Sequence, residues 1–354
     1  MTIRKRVGRF GSLHGEGETG HRSNDRLRLS STAVRAILLI ASILVFLAGI
    51  QLFVLTEVTD RFFAWTIKAP LTAAFLGAAY WASFAMEFYA SRQRIWAHAR
   101  IAVPAVLVFT GITFLISLVH IDSLHLNEPS IVTRFLTWGW LVVYAAVPPL
   151  MIFALFRQFR VSGVDPAGRR HLPAWFRALL VIHAALLLPV GAALLLAPSV
   201  SSFIWPWTLT PLTAPAIGAW LVGIGIAAIQ AVGENDWRRI QPATMSYVAF
   251  GALELMALAR FPGEVAWNAA SAWIFILFLV SALGDWPLRL LAVRDSGPPT
   301  QQKVIRSHIH NYYRGTVNIA PVYFDVNRFR YFGGWAAQGW WTPWPVRIQL
   351  RRRT

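Results

Sequence analysis

Among the charged residues of this chain, Glu254 is the one whose position implies chemistry. It sits in the apolar run 242–260, so on a helix it lies about 9 Å inside the end of that run. A carboxylate at that depth is costly in lipid unless it is protonated, paired or bound to a cation, which makes it a candidate for handling a proton or a small solute. Arg134, Arg260 and Asn268 fall at the same outer level as partners for it. A structural ion pair or a hydrogen-bonded acid is the plainer alternative. Glu87 and Asp285 fall nearer the inner ends of their runs, with Arg92, Arg94 and Arg289 in reach, and read as interfacial charges.

Histidines offer two further possibilities. The series His120-x-Asp122-x-x-His125-x-x-Glu128 holds groups that can ligate a divalent metal. Its spacing lacks the i, i+4 pair of a strong helical motif, and a hydrogen-bonded loop explains it as well. His183 lies well inside an apolar run, but no second histidine stands at a similar depth for a haem held by two. No cofactor is therefore expected, a single axial ligand from His183 to a pigment or haem being the one arrangement left open. Lys68 sits at an outer edge, not mid-helix where a retinal Schiff base would need it. Gly223 and Gly225 read as packing residues, and no phosphate loop, Ser-His-Asp set or HExxH run is present. The chain has no cysteine, which removes disulfides, thiolate metal sites and cysteine nucleophiles. An enzyme is the weaker reading.

The elements that must position these groups are membrane helices. Of 354 residues, 56% are hydrophobic and only 14% charged, against about 25% charged in a soluble domain. Eight apolar runs, 34–55, 70–90, 101–121, 131–156, 175–197, 211–232, 242–260 and 265–291, are each long enough for a crossing of a ~30 Å hydrocarbon layer. Helices are required because lipid offers the backbone no partner. Lys and Arg alternate by loop. Seven precede the first run, three, four and two fill 91–100, 157–174 and 233–241, and ten follow residue 291, while the opposite loops hold Arg61 and Lys68. That places both termini in the cytoplasm and accounts for the net charge of +17 without nucleic acid. Thirty Arg against three Lys hint at a bacterial genome, hence an inner-membrane location.

The chain also repeats itself. Trp65-Thr66-Ile67-Lys68-Ala69-Pro70-Leu71-Thr72 to Ala78 matches Trp207-Thr208-Leu209-Thr210-Pro211-Leu212-Thr213 to Ala219 at eight of thirteen positions, with Ala69 inserted. The expected architecture is all-α: two parallel four-helix repeats, 34–157 and 175–293, between a basic tail 1–33 and an aromatic and basic tail 294–354. Ala74, Ala78 and Ala82, and Ala219, Gly223 and Ala227, make small-residue stripes expected at the tightest helix contacts. Phe62, Phe63, Trp65, Phe203, Trp205 and Trp207 read as an outer aromatic belt. Pro148-Pro149 is expected to kink or end its helix.

The run Trp205-Pro206-Trp207 to Thr213, followed by Gly218-Ala219-Trp220, resembles a segment of uncharacterised multi-pass bacterial membrane proteins. Val119 to Asp122, leading to Trp140, Tyr144 and Pro148-Pro149, is similar to another part of them. The resemblance spans most of 34–290; it implies the fold and no activity. Residues 316–320 and 322–326 are candidate short strands in the second tail. Trp335, Trp340, Trp341, Trp344, Arg351, Arg352 and Arg353 in that tail suit an anionic leaflet or a partner subunit. Few buried polar groups, no motif and long tails favour an accessory or scaffold subunit of a membrane complex. The alternatives are a small-solute or ion transporter with its site between the repeats near Glu254, and a pigment-bearing subunit using His183.

Overall fold

A computed structural model describes residues 26–168 and 170–284. Those residues are helical, with two isolated β-bridges, Leu27 with Val164 and Leu29 with Ile95, besides the helices. Eight main helices follow in order: α1 (Thr32–Gly49), α2 (Pro70–Arg92), α3 (Ala102–Val119), α4 (Ile131–Phe159), α5 (Ala174–Leu196), α6 (Thr213–Glu234), α7 (Trp237–Arg260) and α8 (Ala270–Leu283). The sequence sets their ends. Ser31, Ser130 and Asp236 cap α1, α4 and α7 by accepting from the first-turn amides of Val34, Thr133 and Arg238. Asn235, at φ 43°, supplies the left-handed residue that closes α6. Pro148 and Pro149 do not end α4, which runs on to Phe159; membrane helices tolerate such prolines because neighbouring groups satisfy the freed carbonyls.

Six helices are long and apolar enough to cross a membrane: Thr32–Val54 (α1 with a π-helical turn at Ile50–Val54), α3, α4, α5, α6 and α7. The remaining two differ for separate reasons. α2 is long, but 16 of its 23 residues are buried by protein, so it can be rich in Ala, Ser, Thr and Tyr without meeting lipid. α8 is strongly apolar but has 14 residues as described. The rest of its expected run, with Asp285, lies outside the described residues, as do residues 1–25 of the first tail and the second tail with its candidate strands and its aromatic and basic residues.

Packing brings α1 onto α2, α5 onto α6, α2 onto α7 and α3 onto α6. Two glycines allow the first two contacts. Any Cβ on Gly77 would strike the backbone of Leu52 and Phe53, and one on Gly218 would lie 2.7 Å from the Gly191 carbonyl oxygen. The closest approaches are thus between consecutive helices, one residue before Ala78 and Ala219 of the expected stripes. The stripes are buried all the same. Gly223 faces Phe109 and Ala105 on α3 instead of meeting α2.

The connections share a pattern. After α1 come a 3-10 turn (Thr56–Val58) and a helical turn (Thr59–Phe62); after α5 come a 3-10 turn (Pro198–Val200) and a helical turn (Ser201–Ile204). The turn Ile121–Ser123 after α3 corresponds to Pro262–Glu264 after α7. His125 N–H donates to the Ala64 carbonyl (2.9 Å), and Ala266 N–H to that of Pro206 (2.8 Å). These bonds fold the outer connections back over the bundle, which corrects the aromatic-belt expectation. Phe63, Trp65, Trp205 and Trp207 are buried core residues, and only Phe62 and Phe203 are exposed. Trp207 Nε1 donates to Thr72 Oγ1 at 2.9 Å.

The opposite face of the bundle, the one expected to be the inner face, is tied by charge. Arg100, between α2 and α3, donates to both oxygens of Glu234 at the end of α6 (2.5 and 2.6 Å) and pairs with Asp165. Arg239 Nη1 joins Glu234 at 3.3 Å. The hydrogen bond to Glu234, ahead of the opposing effect of burial, holds the Arg100 guanidinium above its ordinary range. Gln158, fully buried, accepts from Ser31 N–H at 2.6 Å and donates to the Leu29 carbonyl at 2.9 Å, strapping the chain before α1 across this face.

Candidate functional site

Glu254 stands on α7 with no exposed surface, and neither carboxyl oxygen has a hydrogen-bond partner among the described residues. Its surroundings are tight and apolar. One turn earlier Gly251 abuts the Leu279 carbonyl of α8, and Phe250 packs edge-on against Phe75 of α2 at 5.7 Å. The expected partners are elsewhere. Arg134 and Asn268 are exposed at the outer ends of α4 and α8. Arg260 points to α1, donating to the Phe53 carbonyl (2.6 Å) and to Thr56 Oγ1 (3.2 Å), with its guanidinium 4.8 Å from the Phe261 ring. A helix end leaves carbonyls without partners, and the end of α1 offers Phe53 to Arg260. Arg134 and Asn268 are therefore corrected from buried polar candidates to surface residues.

A second buried acid was misread as interfacial. Glu87 on α2 is 2% exposed; its Oε1 accepts from Ser83 Oγ at 2.8 Å, and its Oε2 has no partner. None of Arg92, Arg94 and Arg100 bonds to it. Tyr80, Ser83 and Glu87 share one face of α2, and Tyr80 OH bonds to Tyr144 OH of α4 at 2.5 Å. The i, i+3, i+7 spacing of Tyr80, Ser83 and Glu87 was the available signal. Beside them Trp140 Nε1 donates to Ser117 Oγ at 3.0 Å.

His183 is buried, as expected, and both its ring nitrogens are engaged: Nε2 with Ser281 Oγ at 2.8 Å and Nδ1 with Tyr247 OH at 3.3 Å. A ligated metal would have to displace one of these bonds. In the outer loop His125 bonds through Nε2 to Thr66 Oγ1 (3.0 Å) and through Nδ1 to the Phe63 carbonyl (3.2 Å). No cluster of three His, Asp or Glu suited to a metal occurs among the described residues, and of the series His120, Asp122, His125 and Glu128 it is His125 that takes the loop hydrogen bonds of the alternative reading. Besides Arg100, two titratable groups outside the spans are shifted among the described residues. Burial raises Glu264, opposed by the Leu71 N–H that its carboxylate accepts at the start of α2. Burial, then Arg238, lowers His98.

Spaces open within the bundle among the described residues. A cavity of about 60 Å³ lies between α2, α3, α5, α6 and α7, walled by Phe109, Trp220, Tyr247 and Phe250 with Ser83 and Thr244 among them. A cleft of about 290 Å³ separates α1 from α4, with Gln51, Tyr80, Trp140 and Tyr144 along it. The geometry thus gives two buried acids without countercharge and a cavity one turn from Glu254 through Phe250. No family model, curated protein or solved structure matches this chain.

Proposed function

We propose that this protein is a cation-coupled carrier of a small solute, crossing a cell membrane eight times as two parallel four-helix units with both ends cytoplasmic. The observation that carries the reading is Glu254, wholly buried with two unpartnered oxygens. An unpaired charge buried in a low-dielectric interior costs several kcal/mol, so the fold gains nothing from keeping this residue unless a proton or cation visits it. The corresponding turns after α1 and α5, and after α3 and α7, support the two-unit arrangement. So does the exchange of contacts, α2 on α7 and α6 on α3. The cavity draws its walls from both units. An accessory or scaffold role rested on a scarcity of buried polar groups, which Glu87 and Glu254 weaken.

The test is proton flux into liposomes holding the purified full-length protein, with small amines, carboxylates and sugars offered in turn outside, driven by an imposed membrane potential and read with a trapped pH dye. Wild type should conduct above empty liposomes, and Glu254→Gln should fall to their level while remaining folded. Wild-type vesicles as tight as empty ones would overturn the coupled-carrier reading and return the scaffold role to first place.

A further inference from the structure

We propose that the cavity between α2, α3, α5, α6 and α7 takes a small organic cation of the alkylammonium class; this rests on the carrier reading above and names its solute. The first argument is what the walls lack. No Arg, Lys or His lines the cavity, so an anion would find no charged donor there. The second is what the polar groups offer. Ser83 donates its proton to Glu87 Oε1, and Thr244 Oγ1 donates to the Ile240 carbonyl at 3.1 Å. With those protons committed, the Ser83 and Thr244 oxygens present lone pairs; Ser246 and Tyr247 add hydroxyls that can accept as well as donate, and behind Ser83 stands a buried carboxyl with its second oxygen vacant. Such a set of acceptors with an adjacent acid selects a donor or a positive charge. The third is the aromatic wall of Phe109, Trp220, Tyr247 and Phe250. Ring faces attract cations, most strongly when both are desolvated, and quaternary ammonium groups are a recurrent guest of such walls. Size completes the argument: about 60 Å³ holds roughly five water-sized atoms, which is the heavy-atom count of tetramethylammonium.

The experiment is equilibrium binding of radiolabelled tetramethylammonium to the full-length protein in detergent, beside the proton-flux assay. Saturable binding is expected, competed by ethylammonium and not by acetate or tert-butanol. Glu87→Gln should weaken it roughly tenfold, and Ser83→Ala by a smaller factor. If Glu87→Gln fails to fold, Ser83→Ala carries the comparison, since it removes one surface hydroxyl of the cavity. Absent binding, equal competition by tert-butanol, or unchanged affinity in the folded variants would overturn the proposal. Flux without binding sinks the solute class alone, whereas binding without flux sinks the carrier reading and leaves the cation site.

Discussion

The inner face of the bundle and its interior hold carboxylates on opposite terms. At the inner face Glu234 takes Arg100 and Arg239, Asp165 takes Arg100, and Asp236 accepts from the amides of Arg170, Arg238 and Arg239. Inside the bundle Glu87 has one serine and Glu254 has nothing. The first set is explained by what it holds together: α6 and two inner connections meet on the Arg100 guanidinium, and α7 joins them through Arg239 on Glu234. Neither acid of the second set has a countercharge, and no hydrogen bond among the described residues accounts for Glu254. A buried acid that contributes no bond points away from stability and toward a ligand, a proton included.

Breaking the inner set should cost most. Arg100→Ala leaves Glu234 and Asp165 without their main partner, with Glu234 only 7% exposed. Charged hydrogen bonds of this kind are worth about 1.5–3 kcal/mol, so the unfolding midpoint in detergent should drop by several degrees, and by less in high salt. Glu234→Gln keeps the shape and loses the charge, and should cost about half as much in the same melt. Ser83→Ala strips Glu87 of its one partner and should cost about 1 kcal/mol. The smallest effect is pH-dependent. Burial holds His98 below its ordinary value of 6.5, so the folded protein prefers neutral imidazole and the unfolded chain takes up protons more readily. Stability should therefore fall as pH drops through that value, and His98→Gln should flatten the slope in melts between pH 7 and 5.

Much of the scaffold was legible in residue order. The eight apolar runs each contain one main helix, and boundaries differ mostly by a few residues because caps such as Ser130 and Asp236 lie just outside the apolar stretch. α7 begins at Trp237 ahead of Pro242, since its first turn is amphipathic and charged, and α8 begins at Ala270, after the connection that folds back at Ala266. The aromatic belt was misplaced because Trp65 and Trp207 look the same in sequence at a lipid headgroup and under a folded-back loop. Only the bonds from His125 to Ala64 and from Ala266 to Pro206 distinguish the two. Glu254 was found because one acid in an apolar run is conspicuous. Glu87 was misassigned because arginines near in sequence suggested a surface, whereas α2 is the helix the others enclose. Pairs such as Tyr80 with Tyr144 and His183 with Ser281 span 64 and 98 residues, and no local pattern announces them.

The central claim is that Glu254 is not kept for stability, and Glu254→Leu tests it most directly. Replacing an unpartnered buried polar group by an apolar one of similar size should leave the melting midpoint unchanged or raise it, a gain of about 1–3 kcal/mol. A midpoint lowered as far as that of Arg100→Ala would mean that the carboxyl has a structural partner, and would contradict the account.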